Sequence, residues 1–146
     1  MNGTRNLALC ITIIALGAGC ASTTQFAPFP DQSKRIEDPD KARIYVVRST
    51  SFGGAVTMKV SDGETVIGKT GARGYLCWER DPGNMEVIGK AENTARLAMP
   101  VEKDTVYYIQ QHVHMGALLA RNSLSQLTES EGKEQLEKCK PPKAGE

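Results

Sequence analysis

The sequence is poor in aromatic residues and histidine, and its charges nearly cancel. Only 5% of the residues are Phe, Trp or Tyr, and there are two histidines. Lysine and arginine number 18 against 17 aspartates and glutamates, so no strong field of one sign surrounds the chain. The sequence shows no cluster of basic residues either. We therefore expect no nucleic-acid partner.

The sequence also lacks an N-terminal apolar run long enough to span a membrane. The run from Leu7 to Ala18 is much shorter than the roughly 20 residues that a bilayer core requires. It follows one basic residue, Arg5, and ends at small residues before Cys20. A charged start, a short apolar core and small residues at its end are typical of a cleavable export signal. We predict a signal peptide over residues 1–19.

The end of this segment resembles the lipobox of bacterial lipoproteins, with Gly17 where most lipoboxes have leucine. The resemblance implies that Cys20 carries a diacylglycerol and anchors the protein to a membrane. Ala21 follows, whereas aspartate at that place is associated with inner-membrane retention. The resemblance therefore implies the periplasmic face of the outer membrane. The alternative is a periplasmic or secreted soluble protein with an ordinary signal.

Cysteine is also scarce, with four residues in the chain. Cys10 lies in the predicted signal and Cys20 is the predicted lipidation site, so Cys77 and Cys139 remain. Exported proteins fold in an oxidising compartment, which favours disulfides. We predict a bridge between Cys77 and Cys139, and the alternative is two unpaired thiols.

The remaining sequence has the pattern of a small β domain. Residues 20–40 are polar and contain prolines, which predicts a flexible tether behind the lipidated cysteine. From Ala42, seven or eight short stretches of β-branched and aromatic residues follow at intervals of about ten residues, with turns such as Asp62-Gly63 between them. Because no crossover helix fits between them, we predict a mainly β fold, an antiparallel β-sandwich, over residues 41–139.

The C-terminal part changes period. Thr128 and Glu131 have the spacing of a capping box, and Leu136 and Cys139 share one face of the short helix that would follow. That face places Cys139 towards the sheet. Pro141 ends the helix, and residues 140–146 are predicted to be a disordered tail.

The order of these signals resembles the bacterial domain-of-unknown-function 2846 family, which is found largely in lipoproteins. The resemblance covers about residues 41 to 139 and implies a compact β-sandwich without known catalytic residues. It rests on Ala42–Arg48, Asp62-Gly63, Ile67-Gly68, Gly74-Tyr75, Pro82-Gly83 and the strand pattern at 106–109.

His112 and His114 are the only candidates for a metal site. Two residues apart on a strand, they share a face and can supply two ligands. The third ligand would come from Glu102, Asp104 or Glu79. We favour the alternative interpretation, two half-exposed histidines near a strand end.

Other chemistry has little support. There is no Gly-x-Ser-x-Gly motif, and the stretch from Gly71 to Gly74 lacks the lysine and the strand-to-helix context of a phosphate-binding loop. Glu79 with Asp81, and Glu129 with Glu131, are interpreted as solvated turn and cap residues. Serines in turn-like polar surroundings are Ser49, Ser51, Ser123 and Ser125.

Three aromatic residues could form a sugar-stacking platform if they faced solvent, namely Tyr45, Tyr75 and Trp78. We favour core packing, because aromatic residues in strands usually bury a large area.

These observations favour a lipid-anchored cell-envelope protein. It would act as a non-enzymatic binding or scaffolding module without a cofactor, in contact with an envelope protein or the cell wall. The alternatives are a small periplasmic metal-binding protein or hydrolase that uses His112 and His114, and a glycan-binding module.

Overall fold

The structure is a computed structural model that describes residues 21–146. The predicted signal peptide and the predicted lipidation site Cys20 lie outside the described residues. Within residues 21–146, no helix has the length and apolar character needed to cross a membrane. In chain order the elements are β1 (Thr24–Gln25), β2 (Ala42–Arg48), β3 (Met58–Asp62), β4 (Thr65–Thr70), β5 (Gly74–Arg80), β6 (Gly83–Lys90), β7 (Thr94–Val101), β8 (Val106–Met115), β9 (Ala120–Leu127), α1 (Glu129–Glu137) and β10 (Lys143–Ala144).

The strands form two sheets that enclose the main core. The six-stranded sheet has the order β10-β1-β4-β3-β6-β7, and the four-stranded sheet has the order β5-β2-β8-β9. The prediction of a mainly β, sandwich-like fold with one short C-terminal helix is confirmed. The buried apolar residues of the core come from both sheets and include Ile44, Val46, Val60, Leu76, Val87 and Ile109.

Two strand pairs are parallel, so the expectation of a purely antiparallel arrangement is wrong. β2 pairs with β8 in parallel, with Tyr45 opposite Tyr108, and β1 pairs with β10 in parallel. A parallel pair needs a long connection, usually a crossover helix. Between β2 and β8 the chain instead forms β3 and β4 in the six-stranded sheet, returns to form β5 beside β2, and then forms β6 and β7 in the six-stranded sheet.

The prediction of a flexible tether is wrong for residues 21–40, because this segment packs against the domain. Gln25 is buried, and its side chain pairs with the backbone of β5. Its Nε2 donates to the carbonyl oxygen of Cys77 at 2.5 Å, and its Oε1 accepts from the Cys77 N–H at 3.0 Å. The glutamine amide therefore takes the place of a neighbouring strand at the edge of the four-stranded sheet.

The predicted disordered tail also pairs with the domain. The Lys143 N–H donates to the carbonyl oxygen of Thr23 at 2.9 Å, and the Gly145 N–H donates to that of Gln25 at 2.7 Å. The N-terminal segment that was expected to be a tether is thus what holds the C-terminal residues in the sheet.

A second buried cluster lies beneath α1 on the outer face of the four-stranded sheet. It contains Tyr45, Val47, Tyr75, Cys77 and Tyr108. The predicted capping box at the start of α1 is confirmed. A Cβ at the helical Gly132 would lie 2.1 Å from Cγ of Tyr108, so only glycine lets the helix pack directly on that ring.

The loops collect at two ends of the sandwich, which we name the apex and the base. The apex comprises residues 49–57, 71–73, 91–93 and 116–119, together with Ala21. Backbone hydrogen bonds tie it together, including Ala21 N–H to Gly54 O at 3.0 Å and Glu92 N–H to Ala120 O at 3.1 Å. The base comprises residues 26–41, 63–64, 81–82 and 102–105.

Candidate functional site

A cleft of about 730 Å³ opens at the base of the sandwich. It lies between residues 27–30 and the adjoining ends of the two sheets. Phe29, Ile67 and Trp78 contribute apolar surface, and the Phe29 side chain remains 40% exposed. Charged residues along the cleft are Glu37, Asp38, Lys41, Asp62, Glu79, Arg80 and Asp81.

Asp62 fixes one wall of the cleft. This residue is the aspartate of the predicted Asp-Gly signal; it ends β3 opposite Thr65, and the hairpin turn follows at residues 63–64, where Gly63 has a φ of +55°. The Asp62 carboxylate accepts from Nε1 of Trp78 at 3.0 Å and from a guanidinium nitrogen of Arg80 at 2.7 Å. These bonds hold the indole ring and neutralise the charge of the carboxylate.

A buried ion pair between Arg43 and Glu79 fixes the other wall. A guanidinium nitrogen of Arg43 lies 2.8 Å from the Glu79 carboxylate, and the two side chains are 1% and 10% exposed. Arg43 also donates to the carbonyl oxygen of Lys34 at 2.6 Å. The Glu79 carboxylate accepts from the backbone N–H groups of Glu37 and Asp38. The pair therefore fastens residues 31–38 to the sheet.

The interpretation of Glu79 as a solvated turn residue is thus wrong. Burial by itself opposes the charged carboxylate. The hydrogen bonds from Glu37, Arg43 and Asp38 outweigh that effect and lower the pKa of Glu79 below its ordinary value. Glu79 stays ionised as a structural group at neutral pH.

The charges left over on the rim are mainly negative. Glu37, Asp38 and Asp81 form no ion pair with any residue in the described range. Together with the exposed ring of Phe29, they suit an extended segment that carries both apolar and basic side chains. The paired charges shape the walls and are not free to react.

The aromatic residues considered for sugar stacking are buried. Tyr45, Tyr75 and Trp78 are 7%, 8% and 3% exposed. Tyr45 stacks on Tyr108 with ring centroids 5.2 Å apart and an angle of 8° between the planes. Their assignment to core packing is confirmed, and a sugar-stacking platform made of these three residues is wrong.

Cys77 and Cys139 are both free in the structure, so the predicted bridge is not formed. Cys77 belongs to the cluster beneath α1, and Cys139 packs against that cluster. Lys140 aligns with Gly74, which places Cys139 near the start of β5, whereas Cys77 lies three residues, about 10 Å, further along that strand. A disulfide requires Cα atoms within about 7 Å. Burial raises the pKa of each thiol to about 11.

His112 and His114 lie near the apical end of β8, and each contacts a serine of β9. Nε2 of His112 lies 2.8 Å from Oγ of Ser125, and Nε2 of His114 lies 2.8 Å from Oγ of Ser123. The proposed third metal ligands are elsewhere. Glu102 and Asp104 are at the base, and Glu79 is held by Arg43. The structure does not bring the predicted ligand set together.

The two serine–histidine contacts were not foreseen, because they depend on the register between β8 and β9. Partial burial and the neighbouring His114 lower the pKa of His112, which keeps its ring neutral at pH 7. Neither ring has a carboxylate hydrogen-bond partner among residues 21–146. The pairs therefore lack the third group that orients a catalytic histidine.

Two residues that organise the apex were not predicted from the sequence. Arg48 is fully buried, and its guanidinium donates to backbone carbonyls of the 49–57 loop, including Gly53 O at 2.8 Å and Val56 O at 2.7 Å. The Glu92 carboxylate accepts from three successive N–H groups at 117–119. In the sequence, both look like ordinary charged residues beside turns.

No family model and no curated protein matches the sequence.

Proposed function

We propose that this is a lipid-anchored cell-envelope protein that acts as a non-enzymatic binding or scaffolding module. The observation that carries the proposal is the position of Ala21, which follows the predicted lipidation site. Its backbone N–H is bonded to Gly54 at the apex, at the opposite end from the cleft. A lipid on Cys20 would therefore leave the apex at the membrane and the cleft directed away from it.

The cleft is the surface that we assign to a partner. Its buried pairs, Arg43 with Glu79 and Asp62 with Arg80, keep its shape, and its free carboxylates give it a negative rim. An envelope protein with an apolar and basic segment fits these features. We place the anchor in the outer membrane, facing the periplasm, because Ala21 follows Cys20.

The anchor is tested by the intact mass of protein extracted from membranes with detergent. We expect a chain that begins at Cys20 and carries acyl groups. The control is Cys20→Ser, which removes the thiol that would carry the diacylglycerol and should shift the protein out of the lipid-modified fraction. Wild-type protein without acyl groups would contradict the proposed anchor.

The binding role is tested by photo-cross-linking from the cleft in intact cells. A photoreactive amino acid at Thr65, an exposed residue that lines the cleft, should capture a discrete partner. The matched control is the same group at Ala98, an exposed residue of β7 outside the cleft. Identical products from both positions, or none from Thr65, would count against the cleft as a docking site.

A further inference from the structure

The apex carries an exposed apolar tip at the turn between β8 and β9. The side chains of Met115, Leu118 and Leu119 are 82%, 92% and 60% exposed. Phe52, in the neighbouring 49–57 loop, is 49% exposed. Burying large apolar side chains is favourable, so four of them exposed at one end of a small domain indicate a binding surface.

The tip is held in a defined conformation. The Glu92 carboxylate, from the turn between β6 and β7, accepts from the N–H groups of Ala117, Leu118 and Leu119 at 3.0, 3.0 and 2.7 Å. A Cβ at Gly116 would lie 2.1 Å from the carbonyl oxygen of Leu119, which shows how tightly the turn is closed. Leu118 therefore projects from a fixed backbone.

A row of lysines crosses the six-stranded sheet at its apical end, each within two residues of an apical loop. Lys59 on β3 lies directly opposite Lys69 on β4 and opposite Lys90 on β6. Directly opposite residues point to the same face, and like charges in such positions are destabilising. None of the three forms an ion pair with a described residue. The row is unfavourable to the isolated fold and is suited to binding anions.

We infer that the apex is a membrane-docking surface, with the apolar tip inserted into the bilayer interface and the lysine row on anionic headgroups. The inference rests on the proposed function in one respect. The occupant is a bilayer because Ala21, the residue after the predicted lipid attachment site, is bonded into the same end. The predicted lipid would already hold this end at the bilayer, where apolar insertion and basic contacts with anionic headgroups add to membrane binding.

Insertion of the tip is tested with a tryptophan probe on the full chain, reconstituted in vesicles of phosphatidylethanolamine and phosphatidylglycerol. In L118W, brominated acyl chains should reduce the probe emission by about half or more, because interfacial side chains reach roughly 5–10 Å into the bilayer. E64W is the control, since Glu64 is exposed at the base. The natural Trp78 is buried and gives the same background in both. Equal quenching of the two probes, or none, would overturn the inference.

The lysine row is tested in the same L118W background. We expect the L118W probe to be quenched more in vesicles that contain phosphatidylglycerol than in vesicles of phosphatidylcholine alone. Replacing Lys59, Lys69 and Lys90 by glutamine should remove this difference. Each lysine near an anionic surface contributes about fivefold to membrane partitioning. The control variant replaces Lys34, Lys41 and Lys103, which lie at the base, and should keep the increase. A loss in both variants, or in neither, would contradict a role for the row.

The mass of each preparation separates this inference from the proposed function. An acylated chain whose L118W probe is not quenched would overturn membrane docking and leave the anchor intact. A chain without acyl groups whose L118W probe is still quenched on added vesicles would overturn the anchor and support the docking surface.

Discussion

The base and the apex of the sandwich differ in how their charged side chains are partnered. At the base, the buried pair of Arg43 with Glu79 and the half-buried pair of Asp62 with Arg80 hold the walls of the cleft, and the unpaired carboxylates lie on its rim. Beside the apical loops, Lys59 lies between two other lysines, and within residues 21–146 the buried Arg48 pairs with carbonyl oxygens and with no carboxylate. The base therefore uses its charges to hold its own walls. The apex carries charges that cost stability, which is expected of a surface made to contact something else.

The largest effect should come from breaking the pair at the base. Arg43→Met leaves Glu79 buried without its partner, and we expect a loss of about 4 kcal/mol in the free energy of unfolding. Urea denaturation measures this loss. The double variant R43M/E79L should recover part of it, because the unpaired carboxylate is then absent. A loss below about 1 kcal/mol for R43M would show that the base does not depend on the pair.

The buried arginine of the apex should matter somewhat less. Arg48→Met leaves several buried carbonyl oxygens of the 49–57 loop unpaired, and we expect a loss of about 3 kcal/mol. Hydrogen exchange should rise at Val56, whose N–H donates within that loop. The control is Arg121→Met, which removes an exposed arginine near the same end. Similar losses from both variants would contradict the role of Arg48 as a support for the loop.

The features that could be predicted from the sequence are those that depend on residues close to one another along the chain. The Asp62-Gly63 turn and the capping box of Thr128 and Glu131 are local, and both are found in the structure. Strand length and spacing likewise predicted the sandwich. Such patterns depend on backbone geometry and on hydrogen bonds a few residues apart.

The features that sequence missed depend on pairing between distant segments. In the sequence, Gln25 looks like a polar linker residue. Its role depends on the unpaired backbone edge of β5, to which its side chain is hydrogen-bonded in the fold. The lysine row exists only because of the register that sets Lys59 beside Lys69 and Lys90. For the same reason, neither the cleft nor the docking surface could be found from composition or spacing.

Acid should loosen the base of the sandwich. The pKa of Glu79 is lower in the folded protein than in the unfolded chain, so its contribution is fully present above about pH 4.3, the unfolded value. That contribution is lost as the pH falls through the folded pKa. We expect residues 31–38 to become accessible to acid-active protease at that point. Glu79→Gln should abolish this pH dependence, and an unchanged profile in that variant would assign it to another group.

The smallest effect should have the opposite sign. Lys59→Gln relieves repulsion with two directly opposite lysines, so we expect the free energy of unfolding to rise by about 0.5 kcal/mol at low salt. Because exposed charges are screened, this gain should shrink as salt is added. Lys34→Gln at the base, where no lysine lies opposite, should leave stability unchanged.

If Lys59→Gln instead destabilises the protein, the row is a structural element and the contrast between the two ends fails. If it stabilises the folded chain while reducing the response of the L118W probe to phosphatidylglycerol, the row has been kept at the expense of stability for its contact with the membrane.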